Sequence, residues 1–257
     1  RLLFVAHRQE ILNQALSTFR HALRDAAFGE LWVSGHRPKQ FEHVFASVAS
    51  LTASGVANLA VDHFDVVIID EFHHAAARTY NALLHHLAPQ ELLGLTATPE
   101  RADGLPILQW FDGRIAAELR LWDAIDQHRL CPFSYHGIAD GIDYRNISWR
   151  RGRGYDTAEL TTLLTADHVL ARRIIANVLR TVPNASTMRA LGFCVSVEHA
   201  RFMANQFNAA GIVSEAIWSE TPEDRRRKAL ADLAAGHMRV LFSVDLFNEG
   251  VDVPTVD

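Results

Sequence analysis

Short apolar runs recur along the chain and stop abruptly on polar residues: LLFVA (2–6), VFASV (44–48), VVIID (66–70), ELLGLTAT (91–98), LGFCVS (191–196) and RVLFSV (239–244). Runs of this length without polar alternation predict strands buried on both faces. Behind the first run, Ile11, Leu12, Ala15, Leu16, Phe19 and Leu23 fall at helical spacing, and GHRPK (35–39) reads as a loop. The stretch after Asp70 reads as helical through His86 and stops near Pro89, and Pro99 halts the run at 91–98. In the second half, EHARFMANQFNAAG (198–211) predicts a helix closed by Gly211. TPEDRRRKALADLAAG (221–236) predicts another, with Thr221 as cap, Pro222 in the first turn, Asp224 near the positive end and Gly236 as stop. Strands alternating with helices predict an α/β chain with parallel sheets covered on both faces. Residues 119–185 are mixed, with a Gly/Arg-rich RRGRGYD at 150–156, so the division is expected near 118–125. The two expected domains are 1–120 and 121–257.

Composition narrows the function classes. The 257 residues suffice for one large domain or two ordinary ones, and 49% hydrophobic with 21% charged residues suits a folded core. A net charge of −5 means that nucleic-acid contact must come from local patches. Of 25 basic residues only Lys39 and Lys228 are lysines, leaving arginine, which suits bidentate phosphate contacts. Cys131 and Cys194 are isolated and read as reduced thiols, which implies a cytoplasmic location. No apolar stretch is long enough to cross a bilayer, so no membrane partner is expected. Arg1 opens directly onto a strand pattern and VPTVD follows another, so the chain is expected to be a piece of a longer protein, cut at both ends.

The run VVII ends on adjacent carboxylates, Asp70 and Glu71, followed by Phe72, His73 and His74. In open parallel sheets ligands bind beyond the carboxyl ends of the strands. Magnesium takes one or two carboxylates together with waters and substrate phosphates. An Asp at a strand end can therefore hold the metal while the next acid orients or deprotonates an attacking water. Alternatively, Asp70 caps the following helix and Glu71 is solvated, and these residues alone leave both readings open. LTATPER (95–101) adds a second buried strand ending on Thr96 and Thr98, whose hydroxyls can relay hydrogen bonds from a phosphate site.

With these motifs in view, the chain resembles the superfamily-two helicases and translocases, DEAD/DEAH-box in the broad sense. The likeness is greatest to the branch with type III restriction subunits and repair helicases. VAHRQEIL (5–12), VFASVASL (44–51), IIDEFHHA (68–75), LTATPER, GFCVSVEHA (192–200) and VLFSVDLFNEGVDVP (240–254) follow the family's motif order nearly end to end. The resemblance implies two RecA-like lobes, each incomplete, ATP and Mg²⁺ as cofactors, and nucleic acid, by preference DNA, as partner. It implies Asp70 as metal ligand, Glu71 as the residue that positions water, and His73 as a contact to the coupling motif or the other lobe. Thr96 and Thr98 would transmit the state of the cleft, and Gly250 and Asp252 would approach the nucleotide. Asp245 and Glu249 would border the nucleic-acid track. His7 and Arg8 would meet its phosphates, with amides near Ser47 and Ser196 as lesser contacts.

The phosphate cradle G-x-x-x-x-G-K-[ST] does not occur: Lys39 lies in RPKQ and Lys228 in RRKAL, neither after a glycine. The family's Q-x-x-G-R-x-x-R motif does not occur either. The expectation is a parent that hydrolyses ATP and a 257-residue chain that does not. A missing first strand would leave an open sheet edge and favour self-association. Two other function classes compete. His73, His74, His85 and His86 with Asp70 and Glu71 suggest a zinc enzyme, although neither H-E-x-x-H nor a Cys/His zinc spacing occurs. Trp149-Arg150-Arg151-Gly152-Arg153-Gly154-Tyr155 interleaves cations with rings, as in a non-catalytic nucleic-acid module, or is a solvated loop with two anchoring rings.

Overall fold

The computed structural model describes residues 1–54, 58–73, 78–97, 107–150, 154–166, 168–246, 253, 255 and 256. It divides into two compact units, Arg1–Ser134 and Tyr135–Asp257.

The first unit runs β1 (Leu2–Ala6), α1 (Gln9–Leu23), β2 (Glu30–Trp32), β3 (His43–Ser47), α2 (Val48–Ser54), β4 (Val66–Ile69), α3 (Arg78–His86), β5 (Glu91–Gly94) and α4 (Leu121–Asp126). The five strands form one sheet in the order β2-β3-β1-β4-β5, and every pairing is parallel. Alternation within the apolar runs explains why both faces are greasy. Leu3 and Val5 join Val44, Ala46, Val67, Ile69 and α3's Leu83 on one face, while Leu2, Phe4 and Ala6 meet Ile11, Leu12 and Leu16 of α1 on the other. The expected strand at 44–48 gives up Val48 to α2, and the run at 91–98 leaves the ladder after Gly94. Among the described residues β5 pairs with β4 alone, and Leu93 beside its free edge is 42% exposed.

The second unit contains β6 (Trp149–Arg150), β7 (Gly154–Tyr155), α5 (Thr157–Ala166), α6 (His168–Thr181), β8 (Ala190–Phe193), α7 (Val197–Ala209), β9 (Ser214–Ile217), α8 (Glu223–Ala234) and β10 (Val240–Ser243). Its parallel sheet has the order β8-β10-β9, and β6 with β7 forms a separate antiparallel ribbon. One face of the sheet carries α6 and α7 through Ile175, Met203 and Phe207, and the other carries α8 through Ala229 and Leu233. Gly211 and Gly236, at φ of 80° and 72°, end α7 and α8 as the sequence predicts. Thr221 is not the cap of α8: its hydroxyl accepts from the Trp218 amide at 3.0 Å, tying the helix entry back to the end of β9. Among the described residues no helix is long and apolar enough to cross a membrane.

Candidate functional site

The parallel register brings the carboxyl ends of β1, β3, β4 and β5 to one edge, with Ala6 beside Ser47, Val5 beside Ile69 and Ile69 beside Gly94. The last ladder bonds run from the Asp70 amide to the Val5 carbonyl and from the Leu95 amide to the Ile69 carbonyl, each 2.9 Å. The chain then turns at Glu71, whose φ of 50° is left-handed, and the Phe72 amide returns to the Leu95 carbonyl at 2.8 Å. That conformation costs a non-glycine residue about 1 kcal/mol and persists because the bonds on either side hold it. Asp70 Oδ1 accepts the Glu71 amide at 3.0 Å, one residue on. Asp70 makes no other side-chain hydrogen bond among the described residues, so its second oxygen is open at the sheet edge.

Two residues later the turn meets the end of β5. His73 Nδ1 lies 3.1 Å from Thr96 Oγ1 and 3.2 Å from Glu71 Oε2, with the His73 and Glu71 side chains only 19% and 13% exposed. One nitrogen therefore faces two oxygens. Carrying a proton it donates to Glu71; without one it accepts from the Thr96 hydroxyl. Between the two polar residues, Phe72 is buried, packs edge-on against Phe111 at 4.8 Å, and lies against Gly94. This aromatic wedge carried no signal in the sequence, because its partners are set by strand register.

The residues expected on the nucleic-acid side are distributed as follows. His7 and Arg8 follow β1 at the same edge, and Arg8 Nε donates to His7 Nε2 at 3.0 Å. Ser47 caps α2: its hydroxyl accepts the Ser50 amide at 3.1 Å and lies 2.9 Å from Ser50 Oγ. In the second unit Ser196 caps α7, accepting the His199 amide at 3.1 Å and the hydroxyl of buried Thr161 at 2.8 Å. Both serine hydroxyls are thus used within the fold. Asp245 is exposed just beyond β10, at φ 53°. Thr98, Glu249, Gly250 and Asp252 lie outside the described residues, as does His74.

Two of the histidines in the zinc reading are occupied otherwise. His85 packs edge-on against Trp110 at 5.0 Å, and His86 Nε2 bonds the Leu59 carbonyl at 2.9 Å. Among the described residues no three His, Cys, Asp or Glu side chains converge. Of the solvated loop expected at 149–155, residues 151–153 lie outside the described residues. Trp149 and Tyr155 are strand residues, 60% and 44% exposed, and do not anchor in the core.

Residues 1–101 match the family of the type III restriction enzyme res subunit, and residues 172–257 match the helicase conserved C-terminal domain. A 51.5 kDa protein of a Lactococcus phage is 29% identical over 255 residues, covering 99% of this chain and 51% of that protein. The putative mitochondrial ATP-dependent helicase irc3 of Schizosaccharomyces pombe is 26% identical over 271 residues, covering 99% of this chain and 42% of the relative. The chain thus spans about half, or less, of these curated relatives. In fold it is similar to S. cerevisiae Dbp5 bound to RNA and ADP BeF3, with a TM-score of 0.52 at 12% identity over all of this chain and 61% of that one.

Proposed function

The chain belongs to the superfamily-two helicases, in the branch of the type III restriction subunit, and from that premise we propose that it is part of an ATP-driven motor on nucleic acid. The observation that carries this reading is the grouping of Glu71, His73 and Thr96 beside Asp70's open oxygen, at the carboxyl edge of a parallel sheet. The donor set fits a magnesium nucleotide, since Asp70 offers one carboxylate oxygen and hard cations of this kind take few protein ligands beside water and phosphate. When bound, the magnesium nucleotide supplies the phosphoryl group that water attacks.

In this reading Asp70 would hold the metal, and Glu71 would orient the water and receive its proton. His73 then decides one of the contacts of Glu71. A proton on Nδ1 engages the carboxylate, whereas a bond from the Thr96 hydroxyl to Nδ1 does not. Because Thr96 stands just past β5, a shift of that strand end changes the partner of His73 and so the base itself. His7 and Arg8, at the same edge, are the proposed contacts to backbone phosphates. Thr98, Gly250, Asp252, Asp245 and Glu249 complete the proposal through the family's motif order alone. The sequence holds no G-x-x-x-x-G-K, so these residues are one share of the nucleotide site. DNA is the proposed strand, and unpaired Cys131 and Cys194 suit a cytoplasmic setting.

The test is Glu71→Gln in the whole gene product. ATP turnover stimulated by nucleic acid should fall by about 10²- to 10⁴-fold while strand binding persists. Unchanged turnover would remove Glu71 from the chemistry, and parallel assays with DNA and RNA settle the choice of strand.

A further inference from the structure

The ribbon of β6 and β7 pairs Trp149 with Tyr155 and Arg150 with Gly154. Residues opposite each other in an antiparallel pair share a face, so Trp149 and Tyr155 belong to one face of the ribbon. Both are exposed, at 60% and 44%. The backbone beneath them is held firmly. Ser148 donates through its amide and hydroxyl to the Glu159 carboxylate at 2.7 and 2.8 Å, and the Asp156 amide closes on the Ser148 carbonyl at 2.8 Å. Asp156 in turn caps α5, accepting the Ala158 and Glu159 amides at 3.0 and 3.1 Å. Tyr144 backs Tyr155, ring to ring, at 5.9 Å.

Exposed rings on a braced support lose little freedom when something stacks on them. Arg150 is also exposed and makes no ion pair or side-chain hydrogen bond among the described residues. The nearby acids are engaged, Glu159 and Asp156 as above and Asp143 with Arg145 at 2.7 Å. Two rings, a guanidinium and a glycine, with no aliphatic side chain among them, match bases and phosphates better than an apolar protein surface.

We propose that Trp149, Tyr155 and Arg150 form a stacking platform for the unpaired bases of single-stranded nucleic acid, additional to the motor's phosphate contacts at His7 and Arg8. The platform rests on the reading that the chain works on nucleic acid, but it uses none of the residues assigned to nucleotide chemistry. Bases lie on the ring face, while Arg150, which strand alternation sets on the opposite face with Gly154, reaches past the ribbon's edge to a phosphate.

The experiment titrates the 257-residue chain, without nucleotide, with labelled oligothymidylate, oligouridylate and a duplex of the same length. Trp149→Ala and Tyr155→Ala should each weaken single-strand binding about tenfold and leave duplex binding alone, with Trp149→Phe retaining most of the affinity. Arg150→Ala should flatten the salt dependence of single-strand binding by about 0.7 in the log–log slope. Trp149→Ala should melt with the wild type, and circular dichroism of Tyr155→Ala checks that loss of the Tyr144 ring contact leaves the chain folded. Wild-type affinity in both ring variants, or no binding of oligonucleotide by the chain at all, would overturn the platform, and in the first case a protein partner becomes the occupant. Turnover that falls in Glu71→Gln while both ring variants bind normally keeps the motor and removes the platform; the reverse pattern does the opposite.

Discussion

Gly94 ends β5 directly beneath the turn that carries Glu71 and His73, and it has no room for a side chain. A Cβ there would meet Phe111 Cζ and Phe72 Cγ at 2.7 Å and Phe72 Cδ2 at 2.8 Å, well inside the 3.4 Å where ordinary contact begins. Phe72 is only 1% exposed and cannot move outward, whereas half-buried Phe111 can yield in part. Overpacking of this kind costs about 2 kcal/mol. For a unit of this size, that corresponds to roughly 6–10 °C in melting temperature. The displaced ring also drags its neighbours, because the Phe72 amide is bonded to the Leu95 carbonyl and Glu71 is already at positive φ. A displacement near 1 Å at a catalytic group lowers turnover by about 100-fold. Gly94→Ala should therefore melt early when followed by circular dichroism on the chain, and should cripple ATP turnover in the whole gene product. Gly137→Ala is the control, since its Cβ would come no nearer than 3.9 Å to Tyr135. If the two variants melt together, the contact of Gly94 with Phe72 is slack and the account of what positions Glu71 is wrong.

Removing the Thr96 hydroxyl with Thr96→Val should cost about 1 kcal/mol in urea unfolding. In a double-mutant cycle with His73→Ala the two losses should couple, and strict additivity would deny the bond. The Tyr144 phenol donates to Asp140, which pushes the phenol up to about 12 and draws the Asp140 carboxyl below its usual range. Tyr144 titrates higher folded than unfolded, so its share of stability is complete below the ordinary 10.0 and is lost as pH rises toward about 12. Asp140 contributes in the opposite sense: its share is present above the ordinary 3.8 and is lost as pH falls through its lowered folded value. Tyr144→Phe should flatten both limbs of the stability–pH curve, and an unchanged alkaline limb would contradict the pairing. Burial pushes the Cys194 thiol up to about 12, while Cys131 is exposed, so maleimide should label Cys131 first and reach Cys194 only on unfolding. Equal labelling rates would show that Cys194 is open to solvent.

Much of the architecture was legible because it is written in local patterns. Strands buried on both faces must be apolar throughout, so β1, β3, β4, β8 and β10 stand out as runs. The short edge strands β2 and β9 escaped notice. ELW and SEAI each carry an acid in a run too brief to show a period. The site was legible in its order of motifs but not in its contacts. His73 and Thr96 are 23 residues apart, and only the pairing of β4 with β5 makes them neighbours. The same holds for the two serines. Ser47 and Ser196 fit a motif pattern, yet each hydroxyl is spent on the helix it begins, a choice made by backbone geometry.

The sequence by itself determined the element types, the parallel α/β class and the carboxylates at a strand end, because hydrophobic period and residue chemistry act over a few neighbours. Tertiary structure alone decided that one histidine nitrogen is shared between Glu71 and Thr96, that Phe72 wedges the turn against Gly94, and that Trp149 and Tyr155 face solvent. Strand pairing joins residues distant in the chain, and a register slip of one position would turn each of these side chains to the opposite face.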